Sequence, residues 1–241
     1  MTLNKQIVAG VALALVALSA QAEWKGKGEA GLVYASGNTD ASTLNLKLSM
    51  STVVDQWKHT LEMAALRAKT SGITSADRYM VGWQSDYTIN PRTFWFNGLR
   101  YEHDALSGFN YQATASTGLG YKFYDTDKMK LSGQVGVGYR RISTNSVYLP
   151  SYVPSKTSGD AVLVGGFDYL NVLSDTTKLV DKFHFEAGSK DVLLSNFIGV
   201  EVKMSSALAL SVGLDLRDNT KPPAGKKKID TISTVNLVYA F

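Results

Sequence analysis

The sequence predicts an all-β chain folded as an antiparallel transmembrane β-barrel of about 12 strands. Three observations carry that reading. Apolar and polar side chains alternate with a period of two in segment after segment from Trp24 to Phe241, which gives each strand one face for hydrocarbon and one for an enclosed lumen. No apolar run after the first 22 residues is long enough for a membrane-spanning helix, so any spanning has to be done by strands. Connections between the segments sort into a short set and a longer set, as they do at the two rims of an outer-membrane barrel.

Lys5 precedes the apolar run Ile7 to Leu18, and Ala20-Gln21-Ala22 then supplies small residues at cleavage positions. Residues 1–22 therefore read as a secretory signal peptide and residues 23–241 as the barrel. The first strand places Trp24, Gly26, Gly28, Ala30, Leu32 and Tyr34 on one face and Lys25, Lys27, Glu29, Gly31 and Val33 on the other. Trp24 and Tyr34, at its two ends, are expected at the two membrane interfaces. Ser36-Gly37-Asn38-Thr39-Asp40 reads as a tight turn. Leu44, Leu46, Leu48 and Met50 then face out, with Asn45 and Lys47 inward.

The same alternation sets Trp57, His59, Leu61 and Met63 against Lys58, Thr60 and Glu62, and Tyr79, Val81, Trp83 and Tyr87 against Arg78, Gly82, Gln84 and Asp86. Around Arg92 to His103 the faces are less distinct, with Trp95, Leu99 and Tyr101 outward and Arg100 and Glu102 inward. Tyr111, Leu119 and Tyr121 oppose Gln112, Thr114, Gly118, Gly120 and Lys122; Val135, Val137 and Tyr139 oppose Gln134, Gly136, Gly138 and Arg140. Strands over roughly Gly159–Leu170, Lys178–Ala187, Val192–Met204 and Leu208–Arg217 precede the last one. That strand alternates Val235, Leu237, Tyr239 and Phe241 with Thr234, Asn236, Val238 and Ala240. Its apolar face and final Phe resemble the assembly signal of bacterial outer-membrane barrels, so the barrel-assembly machinery is an expected partner. The outer connections are expected at Ser36–Asp40, Lys69–Ala76, Asp104–Gly108, Ser143–Ser158, Gly188–Asp191 and Asp218–Lys228.

Trp24-Lys25-Gly26, Gly28-Glu29, Gly31 and Ser36-Gly37-Asn38-Thr39-Asp40, with Tyr239 and Phe241 at the end, resemble the opening and close of a family of exported bacterial proteins. They are described as salt-induced outer-membrane proteins, the YdiY-like family. The resemblance implies an outer-membrane β-barrel. It implies no catalytic residue, because the family carries no established activity.

The formal charge of +4 is spread along the chain, which gives no basis for nucleic-acid binding. Cysteine is absent, which removes disulfides, thiol catalysis and thiolate metal sites. No nucleophile elbow, phosphate-binding loop, zinc-protease or calcium-loop spacing occurs, so no cofactor or metal is expected and the chain reads as a non-enzyme. Among the histidines, His184 shares the inward face with Lys182 and Glu186, a trio that a polar lumen holds as an ordinary ion-pair cluster. His103 and Asp104 are adjacent and so face opposite ways. His59 reads as an interfacial residue beside Trp57.

The lumen candidates are Lys47, Arg78, Arg100, Glu102, Lys122, Arg140, Lys182, His184, Glu186 and Glu201; the aromatic girdle is Trp24, Tyr34, Trp57, Trp83, Tyr121, Tyr139, Tyr239 and Phe241. Inward bases slightly outnumber inward acids, which in a wide barrel would favour anions weakly. In a narrow barrel the same charges would pair across the lumen and close it. The expected function is a small porin-like channel for small polar or anionic solutes, or an envelope-integrity component under salt or osmotic stress, in the bacterial outer membrane. Outer-membrane lipids and lipopolysaccharide are expected partners; Lys226-Lys227-Lys228 reads as a solvated loop, which at the outer surface could also contact lipopolysaccharide phosphates. The alternatives are a lipid- or peptide-modifying enzyme with its site at the barrel mouth or in the lumen, and a soluble periplasmic β-sandwich.

Overall fold

The computed structural model describes residues 23–35, 41–104, 108–149, 151–189, 191–222 and 226–241. The expected signal peptide and the turn at Ser36–Asp40 lie outside the described residues.

Among the described residues twelve strands close into one antiparallel barrel, as predicted: β1 (Lys25–Ala35), β2 (Ala41–Val54), β3 (Trp57–Thr70), β4 (Ile73–Thr88), β5 (Thr93–Asp104), β6 (Phe109–Asp125), β7 (Met129–Thr144), β10 (Thr157–Val172), β11 (Thr177–Gly188), β12 (Val192–Lys203), β13 (Leu208–Asn219) and β14 (Ile229–Ala240). Each pairs with its sequence neighbours and β1 closes on β14. The short hairpin β8 (Val147–Leu149) and β9 (Ser151–Val153) stands in the connection between β7 and β10.

Period-two patterning places the side chains. Leu32, Leu46, Leu99, Leu119, Val137, Val212 and Leu237 are all exposed on the outer wall, whereas Asn45, Arg140, Glu186, Glu201 and Asn236 are buried inside. A soluble sandwich would show the reverse, because leaving large apolar side chains in water costs about 1.5–3 kcal/mol each. The exposed belt is an adaptation to hydrocarbon.

The rim that carries both ends of the barrel has short connections, such as residues 55–56 and 126–128. The opposite rim has the β8–β9 connection and, among the described residues, 220–222 and 226–228. One expectation is corrected. Lys69–Ala76 is not a loop: β3 and β4 continue to a two-residue turn at Ser71 and Gly72, both with positive φ, 50° and 77°. The polar composition that suggests a loop belongs to strand ends standing beyond the apolar belt, where both faces are wet. β4, β6, β7 and β10, at 16 or 17 residues, likewise exceed the roughly 9–11 that a membrane requires.

The closing seam differs from the others. The β1–β14 ladder runs only from Lys27–Ala240 to Ala30–Leu237, extended by reciprocal backbone bonds between Gly26 and Phe241 at 2.9 and 3.0 Å. Its neighbour β1–β2 pairs from Lys25–Ser51 to Ala35–Ala41. Inside the barrel, above the short ladder, Asn236 takes over: Asn45 Nδ2 donates to its Oδ1 at 3.0 Å and its own Nδ2 donates to Glu29 at 3.2 Å. The two asparagines meet over Gly31, where a Cβ would stand 2.2 Å from Asn236 Oδ1 and 2.5 Å from the Val235 carbonyl oxygen. Only glycine lets this clamp form.

Candidate functional site

Charged and polar side chains fill the lumen at two levels. At mid-height, β3 and β11 stand on opposite sides, with five strands between them in either direction round the barrel. Lys182 Nζ on β11 nevertheless donates to Glu62 Oε1 on β3 at 2.7 Å. The pair crosses the full lumen. Asp168 adds a second carboxylate 4.0 Å from the same amine. All three remain well exposed, at 45%, 38% and 68% of their side-chain surface, so water reaches this level.

Other mid-level and lower residues line the wall. Lys27 bridges Glu29 and Glu201, and Lys178 donates to Glu201 at 2.7 Å. Lys47 lies 3.9 Å from the centre of the Phe197 ring, a cation–π contact between β2 and β12. Gln84 and Gln134 exchange side-chain bonds at 3.1 and 3.3 Å. Lys122 lies near the end-bearing rim, half-exposed, 3.6 Å from Asp125.

The outer level is tighter. β5 and β13 are again opposite each other, and Arg217 on β13 reaches Glu102 on β5. Glu102 keeps a second partner on its own strand, Arg100 Nη2 at 3.0 Å. Beside this bridge, Glu186 accepts from Thr114 at 2.9 Å and Gln112 at 3.2 Å, contacts His184 Nε2 at 3.3 Å, and lies 3.7 Å from Arg140 Nη1. Arg140 also pairs with Asp191. Arg140 and Glu186 are only 1% and 2% exposed. Such a network holds because a buried charge without a partner costs several kcal/mol. Arg78 stands at the same end, opposite Asp104 in the β4–β5 register. Three buried donors here, Arg140 Nε, Arg217 Nε and Asn219 Nδ2, have no hydrogen-bond acceptor among the described residues. A cavity of about 70 Å³ lies between Arg100, Glu102, His184, Arg217, Asn219 and Lys228.

All ten lumen candidates thus face inward, but they divide into separate groups. Lys182 turns to Glu62 and leaves His184 with Glu186. His103 faces outward, stacked on Tyr79 at 4.7 Å, with Nδ1 against the Asn110 carbonyl. His59 lies parallel to Trp57 at 6.2 Å and bonds Ser85 at 2.8 Å. Trp57, Tyr121, Tyr139, Tyr239 and Phe241 are exposed on the outer wall, and Trp24, just before β1, packs on Trp83 at 6.3 Å. The Tyr34 side chain lies outside the described residues.

Sequence reasoning missed the lumenal phenyl rings. Phe94 and Phe96 on β5 point inward over Gly120 and Gly118, where a Cβ would stand 2.0 and 2.8 Å from the respective rings. The signal is cross-strand: inward glycines on β6 are the empty places that two inward aromatics on β5 fill. Parity puts Asn45 and Asn236 on the inward face but does not reveal that they meet.

The barrel architecture is shared with solved outer-membrane proteins. The translocator domain of the autotransporter NalP from Neisseria meningitidis superposes with a TM-score of 0.50, covering 99% of this chain and 96% of the other at 13% identity. The NanC porin superposes with a TM-score of 0.52, covering 90% and 98%, also at 13% identity. At that identity the likeness establishes the fold. In sequence, the chain is 20% identical over 224 residues to the uncharacterized protein YdiY of Escherichia coli strain K12, covering 92% of this chain and 85% of that one. Residues 28–241 match the family described as protein of unknown function, DUF481. The chain, a twelve-stranded β-barrel with a charged lumen, therefore belongs to the DUF481 family, the YdiY-like proteins that its opening and closing residues resemble.

Proposed function

We propose that the protein is an outer-membrane channel for small polar or anionic solutes, held shut by an ion pair that crosses its lumen at the outer level. The observation that carries this reading is the pair Arg217–Glu102, joining strands on opposite sides of a barrel whose mid-level charges are accessible to water. Long flexible side chains close the path here. A barrel filled by packed apolar residues would have no way to open without unfolding, whereas an ion pair is broken by rotating two side chains. Glu102 retains Arg100 when Arg217 leaves, so the acid is never stranded. A donor without an acceptor at this level among the described residues, Asn219 Nδ2, favours a passing solute that brings oxygen acceptors.

The outer-membrane location is part of the proposal. The exposed apolar belt supports it, and export through residues 1–22 and recognition of β14 by the barrel-assembly machinery go with it. Lys226, Lys227 and Lys228, at the rim away from the chain ends, would meet lipopolysaccharide phosphates. A non-enzymatic role is supported by the histidines: His103 is turned to lipid, and the His184 ring is engaged by Glu186. A second reading, a permanently closed barrel serving envelope integrity under salt or osmotic stress, draws support from the burial of Arg140 and Glu186.

Planar-bilayer conductance of refolded residues 23–241 separates the two. The channel reading expects low, intermittent conductance that rises severalfold in the double variant Glu102→Gln/Arg217→Gln. A barrel that inserts, shows heat-modifiable gel mobility and passes no current in either form ends the channel reading and leaves the closed barrel.

A further inference from the structure

The outer wall carries a depression of about 460 Å³ where β14, β1, β2, β3 and β4 run side by side. Register explains its shape. Two successive outward rows are Leu237, Ala30, Leu46, Ala65 and Tyr79, and Tyr239, Gly28, Leu48, Met63 and Val81. Gly28, Ala30 and Ala65 let the wall recede, while Tyr239, Leu237 and Tyr79 stand as its banks. A Cβ at Gly28 would meet nothing within 4 Å, so strand packing does not require the small residue there.

One row nearer the outer rim, the same face carries Leu44, Arg67 and Asp77, and the next row carries Ser42 and Lys69. Arg67 and Lys69 are exposed. Among the described residues neither has an ion-pair partner, although Asp77 stands opposite Arg67 in register. Tyr79 belongs to an outward aromatic cluster with Tyr101 and His103, the kind of belt that marks a membrane interface. Arg67 and Lys69 lie just beyond that belt, at headgroup depth. An apolar trough leading up to two unpaired cations is amphiphilic in the same sense as an acidic lipid.

We propose that this face binds one phosphate-bearing acylated lipid of the outer leaflet, with an acyl chain in the trough over Gly28, Ala30 and Ala65 and its phosphate on Arg67 and Lys69. The proposal rests on the outer-membrane reading above, and is independent of whether the lumen conducts. Every outward surface of a barrel touches lipid chains, and exchanging one chain for another gains little, because lipid tails are as apolar as the wall. Selectivity therefore comes from the fit of the trough and from charge-assisted hydrogen bonds to phosphate oxygens.

Native mass spectrometry of the folded barrel released from detergent tests this, with dimyristoyl phosphatidic acid as the probe, and dimyristoylglycerol and inorganic phosphate as the chain-only and head-only controls. The expected result is a single phosphatidic acid adduct on the wild type, weakened about tenfold in Arg67→Gln/Lys69→Gln and in Ala65→Phe, which fills the trough. Equal adducts on wild type and variants overturn the proposal, as do saturation by inorganic phosphate alone or a dimer mass without lipid, which would give the face to a second copy. Heat-modifiable mobility read on the same samples keeps the two readings apart. A wild type that never inserts overturns both, whereas inserted barrels with variant-insensitive adducts overturn the lipid site alone.

Discussion

The outer and middle levels of the lumen use the same kinds of residue to different effect. At mid-height Lys182 and Glu62 meet across the barrel in the presence of water, each with more than a third of its side chain exposed. At the outer level Arg140 and Glu186 are almost completely buried, Glu186 with Thr114, Gln112 and His184 as further partners and Arg140 with Asp191. A solvated pair contributes little, because water already satisfies both ions and salt screens them. A buried network contributes through the penalty for breaking it. The barrel thus has a soft crossing at its middle and a hard network along one wall near its outer rim, where β7 and β11 have only β10 between them, with Arg217–Glu102 between the extremes: bridged across the lumen, about a quarter and a tenth exposed.

Removing the hard side should have the largest effect. Arg140→Ala leaves Glu186 and Asp191 without their cation in a dry site, and is expected to cost about 3–5 kcal/mol, read as a lower denaturant midpoint in detergent-solubilised barrels. Restoring only the charge with Arg140→Lys should recover part of that loss, since the two-nitrogen reach to Glu186 and Asp191 is not reproduced.

The seam gives the next effect. Gly31→Val drives a side chain into Asn236 and the Val235 carbonyl and is expected to cost about 1–3 kcal/mol. Asn236→Ala, which deprives Asn45 and Glu29 of a partner, is expected to cost a similar amount. Because the backbone ladder of β1 and β14 is short, both variants should lower the temperature at which heat-modifiable mobility is lost, more than a matched substitution at the fully paired β1–β2 seam.

The soft crossing should respond least in stability and most in its salt dependence. Lys182→Gln is expected to change the unfolding free energy by less than about 1 kcal/mol. Raising ionic strength to about 1 M, where the screening length is roughly 3 Å, should mimic Lys182→Gln in any mid-lumen readout, such as the accessibility of a cysteine introduced at Ser49, which stands opposite Glu62 in the β2–β3 register. The same salt should leave the Arg140 network intact. Equal salt sensitivity at both levels would remove the distinction between them.

Which side of each strand meets hydrocarbon was legible from sequence because it follows from parity alone. Leu46 and Leu237 outside, and Lys47 and Asn236 inside, need no knowledge of any neighbour. Parity loses its force where both faces of a strand are wet, so Lys69–Ala76 reads as a loop although it is the end of a hairpin. It also weakens where an aromatic faces inward, so Phe94 and Phe96 escape notice until the glycines across the ladder are considered.

The number of strands and the parity that turns charges inward are local or periodic properties, and the order of residues was enough to determine them. Which charge meets which was decided only by the tertiary structure. Glu62 and Lys182, 120 residues apart in the chain, become partners because twelve strands bring β3 and β11 to opposite ends of one diameter narrow enough for a lysine and a glutamate to span. Sequence supplies the sign of each lumenal group, and the circumference of the barrel sets the distance between them. In electrostatics that distance, with the water it admits or excludes, makes the difference between an open polar pore and a closed one.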